Sequence, residues 1–92
     1  MVLSHAMIES GYRVIINAVG CNKKDVTIKA KSNGMVIINL PFRAYASKDD
    51  LELRFYPETY NVKKTVASLE NGILTLEVPY GKDGKDANID VN

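Results

Sequence analysis

The sequence predicts an all-β fold, an antiparallel β-sandwich. Apolar residues recur at every second position in six short stretches, turn residues separate those stretches, and no stretch shows the spacing of an amphipathic helix. Short strands at regular intervals with no helical partner must bury their apolar faces against one another, which two packed sheets achieve.

Residues 1–10, MVLSHAMIES, carry weak pattern and are expected to form a short arm. From Tyr12 the chain alternates, with Tyr12, Val14, Ile16 and Ala18 on one face. Its other face holds Arg13, Ile15, Asn17 and Val19, apolar enough to predict a strand covered on both sides. GCNKKD supplies a turn, and VTIKAK places Val26, Ile28 and Ala30 inward against Thr27, Lys29 and Lys31. Ser32-Asn33-Gly34 is a hairpin signal leading into MVIINL, which Pro41 stops. FRAYASKDD is compatible with a short edge strand, a loop or a helical turn begun at Ser47. LELRFY then sets Leu51, Leu53 and Phe55 against Glu52, Arg54 and Tyr56, and ETYNVKKT reads as a loop.

ASLENGILTLEVPY, residues 67–80, is the clearest local signal. Asn71-Gly72 supplies the positive backbone angles of a two-residue hairpin turn. Beyond it Leu74, Leu76 and Val78 share one face, Thr75 and Glu77 the other, and Pro79 ends the strand. The tail from residue 81, GKDGKDANIDVN, is rich in glycine and charge and is expected to be mobile, apart from Ile89 and Val91 near its end.

With 12 Lys plus Arg against 11 Asp plus Glu in 92 residues, the chain lacks the basic surplus of a nucleic-acid binder. Five scattered Tyr, two Phe and no Trp assemble no evident platform for stacking bases. Apolar runs such as Met35 to Ile38 are too short to span a bilayer, and the N-terminus lacks the regions of a signal peptide. A soluble cytoplasmic protein is therefore expected, with neither nucleic acid nor membrane as partner. Cys21 is alone, so no intrachain disulfide forms.

Chemistry-bearing residues are sparse. His5, in the arm, and Cys21 are the sole candidates for a nucleophile pair, and one His with one Cys does not complete a structural zinc site. Asp49-Asp50 and the tail aspartates lack the spacing of a calcium loop, and GKDGKD lacks that of a phosphate loop. No catalytic residue, metal or cofactor is expected, and by elimination the chain reads as a binding module.

PETYNVKKTVASLENGILTLEVP, residues 57–79, resembles the closing half of the α-crystallin domain of small heat-shock proteins. Ala67, Leu69, Asn71, Gly72, Leu74 and Pro79 stand at the places of that family's Ala-x-Leu-x-Asn-Gly-x-Leu-x-x-x-x-Pro ending. Residues 12–39 look like its opening half: Gly20, Lys24, Asp25 and Gly34 match, while Val19 replaces the usual Pro and Cys21 the usual aromatic. The resemblance covers residues 11–80 and implies an immunoglobulin-like sandwich of the α-crystallin type. It also implies that Ile89-Asp90-Val91 is the family's Ile-x-Ile/Val tail motif, which drives assembly by entering a groove. An extended segment puts residues i and i+2 on one side, so Ile89 and Val91 would fill two neighbouring apolar pockets while Asp90 meets water. The resemblance sets that groove between the strands at 26–31 and 65–69, with Val26, Ile28, Thr65, Ala67 and Leu69 near it.

Three features depart from the family. The link 41–50 is short, the apolar phase of LELRFYP is shifted by one, which suggests a bulge or changed register, and the N-terminal arm is abbreviated. The function implied is an ATP-independent holdase of the stress response, a homodimer or larger homo-oligomer that binds non-native client proteins. The alternative is a non-catalytic adaptor or co-chaperone of the related CS-domain fold. The holdase reading predicts that Ile89→Asp with Val91→Asp shrinks the assembly and leaves the fold intact.

Overall fold

A computed structural model describes residues 2–40, 51–81 and 87–91. The expectations for Pro41, for 42–50 and for the charged stretch 82–86 fall outside the described residues. The chain forms strands β1 (Val2–Ile8), β2 (Gly11–Asn17), β3 (Thr27–Ala30), β4 (Met35–Asn39), β5 (Leu51–Arg54), β6 (Val66–Glu70), β7 (Ile73–Pro79) and β8 (Ala87–Ile89). Two single-turn 3₁₀ helices, Lys23–Asp25 and Val62–Lys64, lead into β3 and β6. No helix among the described residues is long and apolar enough to cross a membrane.

The strands make two antiparallel sheets of four, ordered β1-β2-β7-β6 and β5-β4-β3-β8. Alternation decides what lies between them. Val14 and Ile16 from β2, Leu74, Leu76 and Val78 from β7, and Ala67 and Leu69 from β6 form one core with Ile28, Ala30, Val36 and Ile38 from the facing sheet. Ladder partners share a face, so the register Val14↔Leu76 and Ile16↔Leu74 keeps each apolar set inward together. Burial of these side chains, at about 25 cal/mol per Å² of apolar surface, is the main force closing the sandwich.

The β6–β7 hairpin turns as its sequence requires, with φ of 53° at Asn71 and 76° at Gly72. Some expectations need adjustment. Residues 2–8, read as an arm, form a full strand antiparallel to β2 through a tight turn at Glu9-Ser10. β2 is covered on one side only: Arg13 is exposed and pairs across the outer face with Glu77 on β7 at 2.7 Å, leaving Ile15 half-buried. Val19 lies past the end of β2 in an exposed turn. The β4–β5 ladder runs from Met35↔Arg54 to Ile38↔Leu51 without a bulge, so Leu53 lies opposite Val36. The loop 57–65 is also more ordered than its composition suggests. Tyr60 bridges to Tyr80, and Val62 is completely buried.

Candidate functional site: a groove and a cleft between the two sheets

A sandwich of two sheets has two open sides, one along each pair of edge strands. Here the two sides are finished differently.

On the first side, segment 87–91 runs from β3 of one sheet to β6, the edge strand of the other. β8 adds antiparallel to β3, pairing Ile28↔Ile89 and Ala30↔Ala87. Two residues on, Val91 forms a parallel bridge to Ala67 of β6. The segment thus passes from the edge of one sheet to the edge of the other and straps them together. Its side chains alternate as an extended strand must: Ile89 is buried at 8 % exposure, Asp90 is exposed, and Val91 is half-buried against the core. Ala67 makes room for the strap, since a methyl side chain at this completely buried position leaves space that a longer one would fill. Thr65 is buried, and its hydroxyl donates to the Val62 carbonyl at 2.7 Å. That bond satisfies a polar group which would otherwise be costly to bury.

Of the residues anticipated for the groove, Ile28 and Ala67 pair directly with the segment. Val26 and Leu69 are buried members of the core, with Leu69 opposite Leu74 in the β6–β7 ladder. Of the ending motif, Asn71 and Gly72 make the turn, Leu74 is core, and Pro79 is the last residue of β7. The strap's partners are strands of its own chain.

On the second side, between β1 and β5, lies an open apolar cleft of about 560 Å³ lined chiefly by Val2, His5, Tyr12, Leu53, Phe55 and Tyr60. Tyr12, Phe55 and Tyr60 meet edge to face with centroids 5.4–6.1 Å apart, and Tyr80 stacks on Tyr60. His5, expected on an unstructured arm, stacks on Tyr12, and its Nδ1 is hydrogen-bonded to the Tyr12 hydroxyl. The Tyr60 phenol is pushed above its ordinary pKa, first by burial and then by Tyr80 and Tyr12. It therefore stays neutral at physiological pH. Sequence reasoning missed this cluster because its members come from four distant segments, joined only by tertiary structure.

Among the described residues, no group of three His, Cys, Asp or Glu is placed to hold a metal ion. Cys21 is half-buried and packs against the core. The chain matches no protein-family model and no curated protein.

Proposed function

We propose that this protein is an ATP-independent holdase that captures extended apolar segments of partly unfolded proteins in the groove between β3 and β6. The observation that supports this reading is the strap: a five-residue extended segment occupies the groove by main-chain pairing, with alternate side chains inserted. A site that accepts Ile-x-Val through backbone bonds and two apolar contacts reads little sequence beyond that alternation, so it suits clients that share only exposed, extended, apolar character. The α-crystallin resemblance and the immunoglobulin-like fold it implies belong to the same proposal, as do homo-oligomeric assembly and a cytoplasmic setting. Each contact is weak, so tails exchanged between subunits would raise apparent affinity through multivalency.

The strap competes with clients for the groove. Substituting both Ile89 and Val91 by Asp is expected to expose the groove and raise suppression of aggregation per mole of protein. The test follows light scattering of a heat-denatured reporter protein without ATP, with and without the double substitution. No suppression by either protein would refute the holdase reading and leave the adaptor. Suppression that the substitution leaves unchanged would move client binding away from this groove. The molar mass of both proteins gives a separate readout: it falls on substitution only where tails exchange between chains.

A further inference from the structure

The edges of the two sheets are protected unequally. β5 carries Glu52 and Arg54, β6 ends in Glu70 and is partly covered by Val91, and β8 is three residues long. Charge, cover and shortness are the usual means of keeping a sheet edge from pairing with another chain. β1 has none of them. It is seven residues long, VLSHAMI, with no Asp, Glu, Lys or Arg, and among the described residues no strand pairs with its outer edge. Leu3 and Met7 are 52 % and 70 % exposed on it.

The sequence of β1 is also complementary to itself. An antiparallel, two-fold pairing centred on His5 sets Leu3 against Met7 and Ser4 against Ala6 over the middle five residues of the strand. Large apolar residues then meet large apolar residues, small meet small, and no acidic or basic side chain faces its like. The ladder's one irregularity, between Val2 and Ser4, sets Val2 opposite Ile16 while Ser4 meets Ile15, so Val2 leaves the alternation and takes no part in this pairing.

We propose that β1 is the interface with a second copy of this chain, joined edge to edge to make a continuous eight-stranded sheet, β6-β7-β2-β1 meeting the same order reversed. Cross-strand partners share a face and His5 lies on the two-fold axis, so His5 and Met7, which pair with Val14 and Tyr12 on the side of the cleft, put the cleft sides of both copies on one side of the joined sheet. The two aromatic clefts then open toward each other across the axis, and each mouth is covered by the partner. This pairing is independent of the holdase reading and uses neither the groove nor the strap.

The register gives a discriminating test by sedimentation velocity at about 50 mM salt, where exposed charges are screened least. The native chain is expected to be dimeric. Leu3→Lys with Met7→Lys places like charges against each other and is expected to give monomers. Leu3→Lys with Met7→Glu places opposite charges against each other in this register and is expected to restore the dimer. Circular dichroism melts show that each variant is folded, since both positions are exposed. A monomeric native chain would overturn the proposal, as would equal masses for the two charged variants. So would a dimer that dissolves on substituting Ile89 and Val91 but not on charging β1, because tail exchange would then make the interface.

Discussion

At Gly34 the backbone takes φ of +87°, and a Cβ built there would lie 2.0 Å from the Phe55 carbonyl oxygen. The Gly34 carbonyl in turn accepts the Phe55 N–H at 2.8 Å, which ties the β3–β4 turn to the end of β5. Neither backbone can move without breaking that bond. Gly34→Ala is therefore expected to cost about 2–4 kcal/mol, combining left-handed strain with the displaced segment. At Gly72, φ is +76°, but an added Cβ would first meet the Val19 Cγ2 at 2.8 Å, the tip of an exposed side chain able to rotate away. Gly72→Ala should cost less, and urea denaturation of the two variants makes the comparison. Equal losses would show that the Gly34 contact with Phe55 is not the constraint.

Tyr60 gives a second prediction at this scale. Its phenol is raised from 10.0 in the folded chain, chiefly by burial, so folding favours the neutral form. A group raised on folding contributes fully below its unfolded pKa and loses that contribution as pH rises through the folded value. Stability should thus decline above about pH 10, and Tyr60→Phe should make the decline shallower. Thermal melts between pH 8 and 11.5 measure both slopes, and identical slopes would place the alkaline sensitivity elsewhere.

At the scale of elements, the β6–β7 hairpin was legible because everything that makes it is local: a turn dipeptide, alternation on Leu74, Leu76 and Val78, and a stop at Pro79. β1 and β8 were not, for a physical reason. HAMI and ANI have little strand character of their own, and they become strands because β2 and β3 offer them an edge. Ile89 and Val91 were legible as a pair two apart, and their seats on Ile28 and Ala67 followed from resemblance, not from periodicity. The aromatic cleft had no signal, since no spacing links His5, Tyr12, Phe55 and Tyr80. An element held only by its edge should also detach alone. Ile89→Ala is expected to lower global stability by about 1–2 kcal/mol, less than a typical core truncation, because undocking of the strap limits the loss. A loss of 3 kcal/mol or more in urea would mean that the strap is integral to the core.

For the whole molecule, the proposed capture of clients requires that the groove open without unfolding the sandwich, because a holdase that must unfold to bind would be a client itself. The contacts favour separable opening. β2 and β7 are central in their sheet, pair over seven residues and carry fully buried side chains in Ile16, Leu74 and Leu76, whereas β8 contributes three ladder pairs at an edge. Free energies of local opening follow such differences: central strands exchange their amide hydrogens only on global unfolding, while edge elements open on their own. Hydrogen exchange should accordingly show slow amides along β2 and β7, and faster exchange at β8 and at the β3 amides that face it. Substituting Ile89 and Val91 by Asp should remove protection from that β3 edge and leave β2 and β7 within a few-fold of the native chain. A uniform loss through both sheets would show that the strap completes the core, and a groove that appears only when the core is lost would not serve as a binding site. A loss confined to the β3 edge would give the groove an open state within a folded sandwich, the property that capture of extended segments requires.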